Sequence, residues 1–267
     1  MSQSSPPAPE SAETQAPTKG FEPRPPGRLK HWFIRYGLRF FVSCYLRVRV
    51  TGLHNVPTDR PYMLCFSHPS WVDPMLLAAF WPDTPRVFIF GPKEEDMHAG
   101  RRNKIIRWTH MAVPFTPSKT NLLDTTRRAV AVMKGGYVLA LAGEGRLSDR
   151  DGEIVPLEDG ASYFALRARV PILPMTIIGS RWLRFGKRIE MRAGPLIELG
   201  DYRADRTGML ELTRITQDAM ERLLVGVVDE GPPGPFGRWM TDLLAERPWL
   251  TEQAAGDAAA TDDVEPG

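Results

Sequence analysis

The sequence has few cysteines and no long apolar run near its start. Its 267 residues include two cysteines, Cys44 and Cys65, which form neither a CxxC pair nor any other metal-ligand spacing. A disulfide scaffold and a metal site are therefore not expected, and the composition indicates a reducing compartment. The longest uncharged apolar stretch of the first helix candidate, residues 40–46, is too short to span a bilayer, and no signal peptide is predicted.

Large apolar residues are scarce at both ends of the chain. Residues 1–26 contain seven prolines among Ser, Ala, Glu and Gln, and residues 251–267 carry five acidic residues and no basic one. Segments of this composition cannot offset the entropy lost on ordering by burying apolar surface, so both are predicted to be disordered. We therefore expect a helix over residues 27–50 and a folded domain over residues 51–250.

Acidic residues are absent from residues 28–49, although the whole chain has a net charge of only +2. This stretch contains six Arg or Lys residues, and its apolar side chains recur at helical spacing. The apolar stripe consists of Leu29, Trp32, Phe33, Tyr36, Phe40 and Cys44, and Arg28, Arg35 and Arg39 flank it. A basic helix with an aromatic apolar face is typical of the membrane interface, so we predict a lipid surface as a partner. The alternative is a basic surface helix that packs on its own domain, and nucleic acid is not expected because the arginines bracket apolar residues.

Short apolar runs alternate with segments of helical periodicity along the rest of the chain. The predicted strands are residues 62–67, 86–93, 111–117, 137–144, 170–179 and 188–199, and the predicted helices after residue 68 include 94–109, 121–136, 159–169 and 207–228. This alternation predicts an α/β fold with a largely parallel central sheet flanked by helices. In such a sheet, ligands bind beyond the carboxyl ends of the strands.

The segment FSHPSWVDP, residues 66–74, follows the first predicted strand after the basic helix. It holds His68 and Asp73 at the start of a predicted helix. Histidine is the side chain best suited to accept a proton near neutral pH, and a carboxylate on its other ring nitrogen fixes its tautomer. The alternative is that Asp73 caps the helix and His68 has no special role. Glu144 also follows a predicted strand, so polar groups from two strands are expected to converge on one cleft, which favours a site.

Four sequence blocks stand in order along the chain: FSHPSWVDP; GPK at 91–93 with the basic segment and MAVPFTP that follow; AGEGRLS at 142–148; and VPILP at 170–174. Their order and content resemble the glycerolipid acyltransferase family, the 1-acylglycerol-3-phosphate acyltransferase or PlsC-like group, over roughly residues 27–227. The resemblance implies that residues 51–250 form an acyltransferase domain. Such a domain would move a fatty acyl chain from acyl-CoA or acyl carrier protein to a hydroxyl of a lyso-glycerolipid such as 1-acylglycerol-3-phosphate, in phospholipid biosynthesis.

The same resemblance implies roles for individual residues. His68 would be the catalytic base and Asp73 its charge partner. Contacts to the acceptor lipid are expected from Glu144, Gly145, Arg146 and Lys93. Acyl-donor binding or packing is expected from Val170, Pro171 and Pro174. No metal and no cofactor besides the acyl donor are implied, and the protein is expected to be peripheral on the cytoplasmic face of a membrane.

The chain also departs from the family pattern around the acceptor. Ser67 stands where the family usually has Asn, and Arg146 and Leu147 replace the Thr and Arg of the Glu-Gly block, whose Phe-Pro is here Ala-Gly. The second block lacks its usual closing arginine, with Lys119 as the nearest cation. Arg146 could supply the phosphate contact, because guanidinium binds phosphate in a bidentate manner. Equally, the acceptor could be a lysophospholipid or lyso-aminolipid without a phosphomonoester, and a loop salt bridge is the alternative for Glu144 and Arg146.

Two alternatives to acyl transfer are a peripheral membrane-binding protein and a serine hydrolase. A peripheral membrane-binding protein with an idle His–Asp pair would share the basic helix. A serine hydrolase would require a nucleophile elbow, and no G-x-S-x-G motif is present in the sequence.

Overall fold

A computed structural model describes residues 21–93, 108–115, 122–148, 152–228, 230–231 and 233–244. The predicted acidic tail, most of the predicted proline-rich tail and most of the predicted helix over 94–109 lie outside these ranges.

Seven strands form one sheet. They are β1 (Leu46–Thr51), β2 (Met63–Phe66), β3 (Val87–Lys93), β4 (Ala112–Phe115), β5 (Val138–Ala142), β6 (Ile172–Ile178) and β7 (Lys187–Ala193). Their order across the sheet is β1-β7-β6-β2-β5-β3-β4. The strands from β6 to β4 in this order are parallel, whereas β7 runs antiparallel to β6 and β1 follows the direction of β7. The predicted α/β fold with a largely parallel sheet is confirmed.

Helices cover both faces of this sheet. They are α1 (Arg28–Tyr45), α2 (Asp73–Phe80), α3 (Leu122–Lys134), α4 (Gly160–Ala168), α5 (Arg206–Leu223) and α6 (Pro235–Leu244). Residues of β2 alternate between two apolar clusters: Leu64 and Phe66 pack towards α2, and Met63 and Cys65 pack towards α3, α4 and α5. Successive side chains of a strand point to opposite faces, so a central strand covered on both sides must be continuously apolar.

The first helix is shorter than predicted. We expected a helix over 27–50, but α1 ends at Tyr45 and Leu46–Thr51 form strand β1, paired with β7. The reason is the alternation of LRVRV, which places Leu46, Val48 and Val50 against the core while the arginines between them are exposed. This period of two fits a strand better than a helix.

Helix α1 is fixed to the domain by one face and exposes the other. His31 and Ile34 are its buried residues, and Arg35 donates a hydrogen bond to the Trp81 carbonyl at 2.7 Å. The stripe predicted to be apolar, Leu29, Trp32, Phe33, Tyr36, Phe40 and Cys44, is exposed. No helix among the described residues is long and apolar enough to cross a membrane.

Candidate active site

The turn after β2 is tied to the neighbouring strand β6. The Ser67 N–H donates to the Met175 carbonyl at 3.2 Å, and the Ser67 hydroxyl accepts from the Ile177 N–H at 2.9 Å. Ser67 is buried, so these bonds are shielded from water. They fix the point at which the chain leaves the sheet, one residue before His68. A serine can therefore anchor this turn where the related family usually has asparagine.

His68 and Asp73 form the predicted pair. The His68 Nδ1 lies 3.0 Å from Asp73 Oδ2, and the same oxygen accepts a hydrogen bond from the Ser70 N–H at 2.7 Å. Asp73 is the first residue of α2 but makes no capping bond to that helix, so the alternative role predicted for it is wrong. The aspartate is instead fully buried and held in place by the turn that also carries the histidine.

The histidine ring remains open to solvent although its partner is not. The His68 side chain is 13% exposed and that of Asp73 is 0% exposed. The rings of Phe66 and Trp71 lie edge-on to the imidazole, with centroids 5.8 and 5.9 Å away. Because Nδ1 is engaged by Asp73, Nε2 is the ring atom that can exchange a proton with a ligand.

Glu144, which follows β5, lies at the same edge of the sheet as His68. Phe66 of β2 pairs in register with Ala142 of β5, so His68 and Glu144 each lie two residues beyond a paired position. The Ser148 N–H donates to the His68 carbonyl at 2.9 Å, and the Ser148 hydroxyl donates to Glu144 Oε2 at 2.5 Å. The loop after β5 is thus bonded to the turn after β2, as the predicted convergence of two strand ends requires. We call the edge where β2, β5 and β6 end the carboxyl edge.

Burial raises the pKa of Glu144 to about 7. The Ser148 hydrogen bond and the charges of His68 and Arg146 lower this pKa but do not offset the burial. Its Oε1 atom is buried and has no hydrogen-bond partner among the described residues. Near neutral pH this carboxyl group is therefore present in both protonation states, with one oxygen available to a ligand.

Two glycines of the loop after β5, Gly143 and Gly145, lie where a larger side chain would meet a neighbour. A Cβ at Gly145, whose φ is +65°, would lie 2.9 Å from Glu158 Cγ, so a side chain there meets both backbone strain and a neighbour. A Cβ at Gly143 would lie 2.6 Å from Cys65 Sγ, so the space next to it is already filled by the cysteine. Arg146 is exposed on this loop.

The remaining predicted site residues are not all at the carboxyl edge. Lys93 ends β3 opposite Phe115 of β4, which places its backbone at this edge, and its side chain lies outside the described residues. The Pro171 carbonyl accepts from the N–H of Met63, the first residue of β2, at 2.9 Å. Val170 and Pro171 therefore lie at the opposite edge of the sheet. We expected them to bind the acyl donor or to pack; their burial there agrees with packing, and binding of the acyl donor stays a prediction.

Pro174 lies within the sheet and not at its edge. It is paired in register with Cys65, and its carbonyl accepts from the Gly194 N–H at 2.8 Å. The proline is buried, and a Cβ at Gly194 would come within 3.0 Å of its ring. Pro174 therefore packs between β2 and β7, and its contact with the acyl donor stays a prediction.

Sequence reasoning gave no role to Ser67 or Ser148. The only available signals were their positions, next to His68 and four residues after Glu144. Among the described residues, no cluster of three or more His, Cys, Asp or Glu side chains is placed to hold a metal.

The fold and this edge define an α/β protein whose buried aspartate orients a solvent-open histidine, an arrangement suited to general-base catalysis. The model of the Acyltransferase family matches residues 47–178, from β1 to the end of β6. The resemblance drawn from the four sequence blocks is confirmed: the chain carries a domain of the acyltransferase family over these residues.

The proteins that are similar to this chain include a curated plant enzyme and a bacterial enzyme of known structure. The 1-acyl-sn-glycerol-3-phosphate acyltransferase BAT2, chloroplastic, of Brassica napus is 21% identical over 186 residues, which are 66% of this chain and 48% of the relative. This chain thus spans about half the length of that curated relative. The crystal structure of the 1-acyl-sn-glycerophosphate (LPA) acyltransferase PlsC from Thermotoga maritima matches with a TM-score of 0.57 and 19% identity, covering 74% of this chain and 80% of that one. The second likeness shows the fold.

Proposed function

We propose that this protein transfers a fatty acyl chain from acyl-CoA or acyl carrier protein to a hydroxyl of a lyso-glycerolipid, such as 1-acylglycerol-3-phosphate, in phospholipid biosynthesis. The observation that carries the proposal is the contact of His68 Nδ1 with the fully buried Asp73, at 3.0 Å, while the ring itself stays open at the carboxyl edge. The names of the two similar proteins, both acyltransferases of 1-acylglycerol-3-phosphate, support this choice of acceptor class.

The reaction is a direct transfer with His68 as the base. Nε2 of His68 removes the proton of the acceptor hydroxyl as its oxygen attacks the thioester carbonyl, forming the new C–O bond. The C–S bond then breaks, and the proton passes from the imidazolium to the departing thiolate. Asp73 stabilises the imidazolium and keeps Nε2 free to accept, and a positioned base of this kind accelerates a reaction about a hundred- to ten-thousand-fold.

Glu144 and Arg146 are placed to bind the polar part of the acceptor. The unpartnered Oε1 of Glu144 can accept a hydrogen bond from a lipid hydroxyl beside His68. Arg146 is exposed two residues further along the same loop, where a guanidinium can meet a phosphate. An acceptor without a phosphomonoester would use Glu144 but gain little from Arg146.

The exposed stripe of α1 supports the proposal that the protein is peripheral on a membrane, and we assign it to the cytoplasmic face as part of that proposal. Helix α1 packs on its own domain through His31 and Ile34, as the alternative predicted, and its aromatic face is left exposed for a bilayer. Changing Arg28 and Arg39 to Glu should reduce co-sedimentation with anionic vesicles. Arg35 is unsuitable for this test because it bonds to the Trp81 carbonyl. Unchanged sedimentation would contradict this role of α1, with Arg203→Glu/Arg222→Glu as the control.

The activity is tested with labelled acyl-CoA and acyl carrier protein against a panel of lyso-lipids. The panel contains 1-acylglycerol-3-phosphate, lysophospholipids with larger head groups and a lyso-aminolipid. We expect labelled diacyl product from the wild-type protein and its loss in His68→Ala. Free fatty acid alone would favour a hydrolase, and the absence of both products would favour a membrane-binding protein. Comparing Arg146→Ala across the panel separates the acceptors, because only a phosphomonoester should lose affinity strongly.

A further inference from the structure

The connection between β6 and β7 lies at the carboxyl edge, beside His68. β6 ends at Ile178 and β7 begins at Lys187, so residues 179–186 turn at the edge where β2 also ends. The hydrogen bond from Ile177 to the Ser67 hydroxyl joins β6 to the turn that carries the histidine. The connection therefore lies at the same edge of the sheet as the candidate active site.

Residues 181–188, with the sequence RWLRFGKR, combine positive charge with aromatic side chains. They contain four Arg or Lys residues, a tryptophan and a phenylalanine, and no acidic residue. Phe185 is 71% exposed, whereas Leu183 is buried and anchors the segment. Glu230 pairs with Arg184 and with Lys187, which is buried, so this one carboxylate neutralises only part of the positive charge of the segment. The segment lies beyond the residues that the family model matches.

This segment is continuous with α1. The Gly186 N–H donates to the carbonyl of Tyr45, the last residue of α1, at 2.7 Å. The rings of Tyr45 and Phe185 meet edge to face with centroids 6.4 Å apart. Tyr45 itself is 51% exposed. The outward aromatic face of α1 and the 181–188 segment thus meet at one corner of the molecule.

Helix α6 packs on the other side of the same segment. The Thr241 hydroxyl accepts from the Leu183 N–H at 2.9 Å and lies 3.2 Å from the Leu183 carbonyl. Phe236 and Trp239 of α6 are 65% and 56% exposed, and their ring centroids are 5.6 Å apart. Two more exposed aromatic rings therefore lie on a helix that is fixed to the segment.

We propose that residues 181–188, with Phe236 and Trp239 of α6, form a second lipid-binding surface that docks on an anionic bilayer beside α1. Tryptophan and other aromatic side chains favour the membrane interface, and each Arg or Lys near an anionic surface strengthens binding about fivefold. A single helix on a membrane leaves the protein free to rotate about the helix axis. A second contact at the carboxyl edge removes that freedom and turns the edge with His68 towards the lipid.

The purpose that we give to this surface rests on the proposed function. Its binding to lipid does not, because binding can be measured without catalysis. The probes are vesicles of phosphatidylcholine with phosphatidylglycerol, and vesicles of phosphatidylcholine alone. Phe185→Ser/Trp239→Ser and Arg188→Glu should each weaken binding of the full-length protein to anionic vesicles, the former about tenfold or more. Leu53→Ser/Leu210→Ser, which changes exposed apolar residues elsewhere, should bind as the wild type does. Equal binding by Phe185→Ser/Trp239→Ser and the wild type would overturn the proposal.

A site-specific probe keeps the test independent of variant stability. In a Cys44→Ser background, which removes the exposed native thiol, Phe185→Cys and Leu210→Cys carry an environment-sensitive fluorophore. The label at residue 185 should shift to the blue on addition of anionic vesicles and that at residue 210 should not. A label at residue 185 that stays in water while the protein is vesicle-bound would also refute the surface.

Activity measurements distinguish failure of this surface from failure of the proposed reaction. Phe185→Ser/Trp239→Ser should retain wild-type transfer to a short-chain, water-dispersed acceptor and lose it with a vesicle-embedded acceptor. If the wild type transfers to no acceptor but still binds vesicles through residue 185, the proposed reaction is wrong and the surface stands. If the variant loses transfer to both acceptors alike while its vesicle binding is unchanged, the surface is wrong.

Discussion

Among the residues that the structure describes, two pairs of histidine and aspartate have the same atomic separation and opposite surroundings. At the carboxyl edge, His68 Nδ1 lies 3.0 Å from Asp73, and between α1 and the segment after α2, His31 Nε2 lies 3.0 Å from Asp83. In the first pair the aspartate is 0% exposed and the histidine 13% exposed. In the second pair the histidine is 8% exposed and the aspartate 41% exposed. Burial is thus reversed while distance is unchanged.

The reversal separates a candidate base from a structural contact. A base must present a ring nitrogen to its substrate while a fixed carboxylate holds the other nitrogen, which is the arrangement of His68 and Asp73. The other nitrogen of His31, Nδ1, is buried without a hydrogen-bond partner among the described residues, and Asp83 faces solvent beside Arg35. His31 therefore holds α1 on the domain and is closed to a substrate. Distance alone would have made the two pairs equivalent.

The strongest test of the difference between the two pairs is to remove each histidine in turn. His68→Ala should lower the rate of acyl transfer about a hundred- to ten-thousand-fold, because the proton of the acceptor then has no base. His31→Ala should retain the rate per folded molecule and lose stability, since the packing of a buried histidine and its contact with Asp83 are removed. Rates are measured at saturating acceptor, together with the thermal midpoint of each variant. Equal rate losses in both would show that the two pairs do not differ in function.

The second prediction concerns the orienting role of Asp73. In Asp73→Asn the amide oxygen can take the place of Oδ2 and accept from both the Ser70 N–H and His68 Nδ1. The side chain then carries no negative charge to stabilise the imidazolium that forms during proton transfer, so transfer should fall at least about a hundredfold. Asp83→Asn is the matched control and should leave the rate unchanged. Rates are measured at saturating acceptor, and a loss in Asp73→Asn no larger than that in Asp83→Asn would contradict the role of Asp73.

How far the site could be predicted from the sequence depends on how local each contact is. His68 and Asp73 are five residues apart, so one turn decides their contact and the motif alone suggested it. Glu144 was found by a second step, the rule that parallel strands end at one edge. The anchoring role of Ser67 was not predicted, because it depends on a hydrogen bond with Ile177 of another strand, 110 residues away in the sequence. Which residue a side chain contacts across such a sequence separation depends on the order of the strands in the sheet. Composition and periodicity do not predict that order.

The same reasoning explains the errors and omissions in the fold. The parallel sheet follows from alternating strands and helices, yet neither the reversed direction of β7 and β1 nor their place in the sheet could be inferred. Residues 46–50 are therefore predicted as part of the basic helix, although they belong to β1. The contact of His31 with Asp83 spans 52 residues and was equally invisible. Whether the side chains of residues 181–188 are exposed depends on packing. Their charge and aromatic content therefore could not predict a binding surface before the structure placed them at the carboxyl edge.

The third prediction uses Glu144, whose burial next to the first pair has no counterpart at the second. Its pKa, raised to about 7 by burial, lies above that of an unfolded glutamate, so the folded protein binds the extra proton between about pH 4.5 and 7. The stability it contributes is present below that window and is lost as pH rises through it. Glu144→Gln should therefore be more stable than the wild type by up to about 3 kcal/mol at pH 8, with no difference near pH 4. Urea unfolding at both pH values measures this, and a pH-independent difference would contradict the burial argument.

The smallest predicted effect lies at the second pair and has the opposite sign. Burial alone would raise the pKa of Asp83, but the hydrogen bond with His31 and the charge of Arg35 outweigh it and lower that pKa. A carboxyl group with a lowered pKa contributes stability above its unfolded value and loses it as pH falls through the folded value. Because Asp83 is partly exposed, Asp83→Asn should cost only about 1 kcal/mol at pH 7, and the cost should vanish below about pH 4. Urea unfolding of the variant and the wild type from pH 3 to 7 tests this: a difference that persists in acid would show that α1 is held by packing and not by the charge of Asp83.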